Sequence, residues 1–290
     1  MKKKSGRMTV QFWGVRGSIA APGPETSRLG GNTSCVSITS GDTMLIMDLG
    51  TGARALGESL MKGGPRKLTI FLTHLHADHI AGLPFFAPLH DRRFKIRIFG
   101  PPVGHGGLKT HLMTFVSPPF FPIPLDQTPA RIQCAPLRGG TSLKVGPFTI
   151  RTQYVNHPWP TLGYRIENHK VVTYVSDHEA WSQFQHPAPG AAGINGDIRL
   201  LELARGADLL ILDAQYSRKE ASLKRGWGHG SPEYAIRMGE RAQVGLLTLF
   251  HHDPIHTDRQ LETLLKESRR GLKKRALRVC LAKEGLVLLV

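Results

Sequence analysis

From Thr9 onward, short apolar runs alternate with Gly-rich and polar turns, and most runs are strand-length rather than helix-length. Strands are expected at Thr9–Trp13, Cys35–Thr39, Met44–Asp48, Leu68–Thr73, Lys95–Phe99 and Ile132–Ala135 in the first half. The second half adds Phe148–Tyr154, Leu162–Ile166, Lys170–Ser176, Leu209–Asp213, Val244–Phe250 and Val279–Leu281. Leu68–Thr73 reads as a continuous apolar strand, the pattern of a sheet covered on both faces. Helical spacing is confined to a few places. Thr51–Lys62 follows a Gly-rich turn, and Asp197–Arg205 ends at Gly206, a residue suited to a C-cap. Ser231, Pro232 and Glu233 supply an N-cap, a proline at the first position and an acid in the first turn of a helix toward Ala242. Thr257 or Asp258 opens Arg259–Arg270, with Leu261, Leu264 and Leu265 on one face.

Many strands with a few interleaved helices predict a layered α/β protein. With no repeat and no evident linker, residues 1–7 read as a basic disordered tail and residues 8–290 as a single domain. The segment Ser117–Leu125, with four prolines and two adjacent phenylalanines, is excluded from helix and from a central strand. It reads either as a covering loop packed on the core or as an apolar lid or intersubunit contact.

Composition narrows the class. At 290 residues with 40% apolar and 21% charged side chains, the chain is long enough for a real core and is neither disordered nor fibrous. No run approaches the uninterrupted apolar length of a transmembrane helix, so no membrane partner is expected. Met1–Lys4 resembles the start of a secretory signal, but no apolar segment or cleavage site follows, and a cytoplasmic location is expected. Cys35, Cys134 and Cys280, odd in number and far apart, argue against disulfides and thiolate metal clusters. The 38 Lys and Arg against 22 Asp and Glu leave a formal charge of +16, which suits either an anionic partner or a merely solvated basic surface. Fourteen histidines are more informative, because of where they fall.

Thr73-His74-Leu75-His76-Ala77-Asp78-His79 directly follows the strand Leu68–Thr73. Four ligand-capable side chains lie within six residues, and imidazole nitrogen with carboxylate oxygen is the donor set of zinc and similar divalent ions. His74 and His76 point the same way in an extended turn, while Asp78 and His79 reach past it toward a second ion. Further histidines and acids, in Asn156-His157-Pro158, Ser176-Asp177-His178-Glu179 and Leu249-Phe250-His251, also follow strand-like runs. Loops at strand ends converge on one site.

The His-x-His-x-Asp-His motif resembles the hallmark of the metallo-β-lactamase fold superfamily, and the likeness extends from Val10 to about Leu265. Within it the chain looks like the phosphodiesterase branch, which includes ribonuclease Z and the cyclic-phosphate phosphodiesterase of phosphonate breakdown. The resemblance implies an αββα sandwich with a two-metal site at one edge of its sheets. It assigns His74, His76 and His157 to the first ion, Asp78, His79 and His251 to the second, and Asp177 to both. His251 is preferred over the adjacent His252 because it directly ends its strand. Two zinc ions are the implied cofactor, with manganese or iron as alternatives, and relatives of this branch are often homodimers. Asp48, in Asp48-Leu49-Gly50-Thr51-Gly52, matches an acid that orients metal-bound histidines.

The resemblance also carries chemistry. Asp213-Ala214-Gln215-Tyr216 and Gly228-His229-Gly230-Ser231 are similar to ribonuclease Z elements in which an acid holds a histidine that protonates the leaving group. Asp78, Asp213 and His229 are therefore the catalytic candidates, although Asp stands where the family has Glu and Gly230 interrupts the motif. Arg16, in Phe12–Ser18, and Asn32, in Gly30–Cys35, are candidate substrate contacts or plain turn residues. Two divalent ions, less two aspartates and a bridging hydroxide, leave a site of charge about +1 that suits an anionic phosphodiester. The expected activity is hydrolysis of a small, cyclic-nucleotide-type phosphodiester by that hydroxide. An RNA or single-stranded DNA nuclease is the alternative, motivated by the net charge and the basic run Lys266–Arg278, although no inserted Gly-rich basic arm is evident. A binding or regulatory module with a metal site is the alternative of another class.

Overall fold

A computed structural model of the chain describes residues 7–104, 106–181, 195–270, 272 and 277–290. The expected basic tail falls almost wholly on residues 1–6, outside the described residues, as do 271 and 273–276 of the basic run. The first sheet is built from β1 (Thr9–Gly14), β2 (Cys35–Ser40), β3 (Thr43–Met47), β4 (Lys67–Phe71), β5 (Lys95–Gly100) and β6 (Arg131–Pro136), in that spatial order. The second runs through β7 (Ser142–Val145), β8 (Phe148–Tyr154), β9 (Leu162–Glu167), β10 (Val171–Val175), β11 (Leu209–Asp213), β12 (Leu246–Phe250) and β13 (Arg278–Leu281). Finally β14 (Val287–Leu289) returns to pair antiparallel with β1.

Each sheet begins as an antiparallel meander and continues as a parallel set. The parallel pairings run from β3 to β6 and from β10 to β13. Parallel neighbours need crossovers, and those connections place helices on the outer faces. Helix α1 (Ala53–Lys62) and α3 (Gly107–Phe115) cover the first sheet over Leu68, Ile70, Ile96 and Ile98. The helices α4 (Gly196–Ala204) and α6 (Pro232–Arg241) cover the second over Leu210, Leu212, Leu247 and Leu249. Between the sheets lies a third core containing Phe12, Phe71, Phe148, Tyr164, Tyr174 and Phe250. The layers are thus αββα, as the family resemblance implies.

Local signals hold where they are strong. Ser231 caps α6 by accepting from the Tyr234 amide with Pro232 in the first turn, and Thr257 with Gln260 forms a capping box before α7 (Asp258–Arg269). Short elements were not anticipated: the edge strands β7 and β14, α2 (Ala77–Ile80) inside the histidine motif, α3, and α5 (Arg218–Leu223). The proline-rich segment is partly a cover. Leu125 is buried and Phe121 packs edge-on to Phe85, while Phe120 is 74% exposed.

Candidate metal centre

Four strands point their C-terminal ends at one spot. After β4 the chain runs extended through His74 to His76, then turns into α2, so Asp78 and His79 sit one step deeper. His157 follows β8, Asp177 follows β10, and His251 directly follows β12. All seven expected ligands come together. The donor atoms of His74, His76 and His157 lie within 4.8 Å of one another, as do those of Asp78, His79 and His251 and those of His74, His79 and Asp177. His76 Nδ1 is 3.2 Å from His157 Nε2, and His251 Nε2 is 3.0 Å from Asp78 Oδ2. Asp177 reaches both groups: Oδ1 is 3.1 Å from His79 Nε2, and Oδ2 is 3.8 Å from His74 Nε2 and 3.6 Å from His251 Nε2.

The rings are aimed by their other nitrogens. His79 Nδ1 donates to Asp48 at 2.9 Å, His251 Nδ1 to the Gln215 side-chain oxygen at 2.9 Å, and His157 Nδ1 to the Gly228 carbonyl at 3.0 Å. His74 Nδ1 lies 3.1 Å from the Thr73 hydroxyl, which itself donates to Asp48. Each arrangement leaves an Nε2 lone pair facing inward, the tautomer a metal needs. His74 Nε2 and Asp177 Oδ1 are buried with no hydrogen-bond partner. Orphaned buried polar atoms are costly, and here they converge with other unspent donors, so the residues fit divalent ions.

Electrostatics divides the rings: against burial, Asp78 and Asp177 hold His79 well above, and Asp177 and Asp78 hold His251 above, the usual imidazole range. Burial and the neighbouring His79 hold the His74 ring well below its usual proton affinity, and burial brings His157 down to about 3, so both stay neutral. Burial alone would raise the Asp177 carboxyl, yet the His251, His79 and His74 rings hold it well below the carboxylate range. Backbone strain is stored here too. Asp48 (φ 58°), His251 (φ 61°) and Ser18 (φ 62°) adopt the left-handed region that side chains disfavour. The Ser18 amide donates to Asp78 Oδ2 at 2.7 Å, and at Gly228 (φ +89°) any Cβ would fall 2.1 Å from His157 Nδ1.

Comparison with known proteins joins this geometry to a lineage. Residues 47–252 match the model of the beta-lactamase superfamily domain. The chain belongs to that superfamily. It is 27% identical to ribonuclease Z of Thermoplasma acidophilum, over 91% of this chain and 92% of that protein. To ribonuclease Z of Methanosarcina acetivorans it is 25% identical, over 91% and 93%. Among solved structures it resembles the metallo-beta-lactamase fold protein YhfI of Bacillus subtilis (TM-score 0.71, 21% identity, 99% of this chain and 100% of that one). It also resembles a diphosphatase of the PhnP family (TM-score 0.66, 18% identity, 97% of each). This superfamily member is a metal-dependent hydrolase.

The remaining expected residues divide. Asp213 ends β11 fully buried, and its Oδ2 accepts from His229 Nδ1 at 2.9 Å and from the His178 amide at 3.0 Å. His229 stacks on His251 at 5.0 Å between ring centroids. Arg16 is a correction. The expected substrate contact is fully buried: Nε donates to the Gly30 carbonyl, Nη1 to the Asp253 and His256 carbonyls, and Nη2 to Asp258 at 3.2 Å. Four of its five N–H donors are committed inside the protein, and the side chain has no exposed surface for a ligand to reach. Asn32 is likewise spent, donating to Glu284 at 3.0 Å and accepting from the Thr51 hydroxyl at 3.0 Å. His252 turns away from the cluster and donates through Nε2 to the Ala282 carbonyl at 3.0 Å.

Reading the sequence missed Gln215, Tyr174 and Glu179. Gln215 lies two residues beyond Asp213, in the segment already singled out. Tyr174 donates to Asp48 at 2.9 Å. Glu179 accepts from the amides of Gly226 and Gly228, so it fixes the loop that presents both His229 and the carbonyl holding His157. No local signal links Glu179 to a loop so far along the chain.

Proposed function

We propose that this hydrolase is a phosphodiesterase that cleaves a small nucleotide-type phosphodiester with two divalent ions, zinc first among them. His74, His76 and His157 would hold one ion, Asp78, His79 and His251 the other, and Asp177 would serve both. Such a pair supplies an activated water at neutral pH and neutralises charge on the phosphoryl oxygens. The chain supplies the rest.

The observation that carries the reading is the Asp213–His229 pair, set directly against His251. A phosphodiester's leaving oxygen departs as an alkoxide and gains from a proton donor. His229 Nε2 would give that proton, while Asp213, bonded to Nδ1, fixes the ring's orientation. Trp159 (44% exposed) and Trp227 (62% exposed), each two residues from a site histidine, offer flat faces on which a nucleobase can stack.

The test is turnover of bis(p-nitrophenyl) phosphate and of cyclic nucleotides by protein loaded with zinc or manganese. His229→Gln should lower kcat on cyclic nucleotides by about 10²–10⁴-fold, and far less on bis(p-nitrophenyl) phosphate, whose leaving group needs no proton, while bound metal stays constant. No turnover with any divalent ion would sink the reading. A second reading, cleavage of RNA, is favoured by the ribonuclease Z relatives, matched over 91% of the chain, and by the +16 charge. Processing of a structured RNA faster than any small diester, with steep salt dependence, would select it.

A further inference from the structure

The parallel strands that deliver the histidines at one end open at the other end into a basic cleft. Lys67, Lys95 and Arg131 stand in register on β4, β5 and β6, and two residues on, Thr69, Arg97 and Gln133 stand in register again. Alternate residues of a strand share a face. Continuing the same rows gives Phe71, Phe99 and Ala135, which belong to the core between the sheets. That inner face therefore passes from apolar core to cations as the sandwich opens.

The resulting cavity holds about 650 Å³; Thr43 and Met44 of β3, beside β4 in the same sheet, and Val145 of β7, in the other sheet, also line it, as does Asp42. Lys67, Lys95, Arg97 and Arg131 are all exposed to it. Among the described residues none of the four forms an ion pair. Arg97 is steadied by lying over the Phe99 ring, 5.8 Å from its centroid. Like charges directly opposite one another on adjacent strands repel. An anion bound among them would remove that repulsion.

We propose that this cleft is a second anion site that binds consecutive phosphates, those of a nucleoside polyphosphate or of a short RNA backbone. Strands sit ~4.8 Å apart, so the three cations in register span ~10 Å, wider than one phosphate needs. Arginine matches phosphate as a two-pronged donor and lysine as a point charge. The seven residues from Lys67 to His74 put the cleft ~23 Å along the strand from the metal centre, so one diester cannot occupy both. The proposal is independent of the chemistry assigned to that centre.

Calorimetric titration of the metal-loaded full chain with tripolyphosphate, and separately with hexauridylate, tests it. Arg97→Ala/Arg131→Ala should weaken a binding event by about tenfold or more for at least one probe. The other event, at the metals, should persist, and bis(p-nitrophenyl) phosphate turnover should match that of the parent. Loss with tripolyphosphate alone identifies a polyphosphate ligand, and loss with hexauridylate, with a shallower salt slope, identifies an RNA backbone. Lys95→Gln/Arg131→Gln, read the same way, covers the case in which the alanine pair fails to fold. Isotherms unchanged by the cleft substitutions for both probes would overturn the site, whether or not the protein hydrolyses any diester.

Discussion

His251 and His252 are neighbours in the chain, yet they belong to two buried polar regions that are resolved in opposite ways. On the His252 side every contact ends inside the protein. The ring donates to the Ala282 carbonyl, the backbone bridges to Arg16, and Arg16 spends its guanidinium on three carbonyls and Asp258. On the His251 side one ring nitrogen is committed to Gln215, while the other joins a group of donors that converge without completing one another. Burial is the same on both sides. What separates structure from site is whether the buried donors have found partners, and three substitutions and a pH series measure that difference.

The largest effect belongs to Asp177, the one carboxylate within reach of His74, His79, His157 and His251. Asp177→Ala should lose bound metal and lower turnover by on the order of 10⁴-fold. Elemental analysis beside the rate assay checks both. Full metal content with normal turnover would dissolve the distinction drawn between the two regions.

Arg16→Met probes the other side. Removing one partner of a buried ion pair strands Asp258 and three carbonyls, at a cost of about 3–5 kcal/mol. Denaturant unfolding should show that loss, while the rate per folded molecule stays constant. Adding Asp258→Asn should cost less than the two single changes summed, since they share one interaction. A fall in kcat/KM with stability intact would return Arg16 to the role of substrate contact.

These two arginine and aspartate cases also mark what is legible in a sequence. The histidine motif is readable because its ligands are adjacent and follow an apolar strand, and the family resemblance, supported by their places at strand ends, extends it to His157, Asp177 and His251. Arg16 and Asn32 sit in Gly-rich turns that look like ligand loops. Their partners Asp258 and Glu284 lie more than two hundred residues away, and no local pattern announces such pairing. The fold follows the same division. Long apolar strands are evident, but β7 is a four-residue, half-exposed edge and β14 a three-residue one, too short for periodicity. The box of Ser217 and Glu220 does signal α5, yet that helix buries only Ala221 and has no apolar stripe.

A smaller effect is expected at Asp48, which receives the Thr73 amide and hydroxyl, His79 Nδ1 and the Tyr174 hydroxyl while held at φ 58°. Asp48→Asn keeps the volume but replaces an acceptor facing His79 with an amide. Metal affinity should fall about 10–100-fold, the usual cost of disturbing a group that orients a ligand. Competition with a chelator measures it. Unchanged affinity would mean that His79 is aimed by packing alone.

The smallest effect lies with His252 and depends on pH. A free imidazole titrates near 6.5, whereas burial brings His252 down to about 3, with the Arg16 charge adding to the effect and the Ala282 carbonyl opposing it. The folded state thus prefers the neutral ring, and the unfolded state takes up the proton first as pH falls. The associated stability is fully present above about pH 6.5 and is lost progressively toward pH 3. By pH 5.5 the loss relative to pH 7.5 is about 1.4 kcal/mol. His252→Gln keeps a donor for the Ala282 carbonyl but cannot titrate, so its unfolding free energy should decline less over that interval by about the same amount. Groups common to both proteins, His79 and His251 included, cancel in the comparison. Parallel pH profiles would show that His252 is not kept neutral by the fold, and would place it closer in kind to His251 than its hydrogen bond suggests.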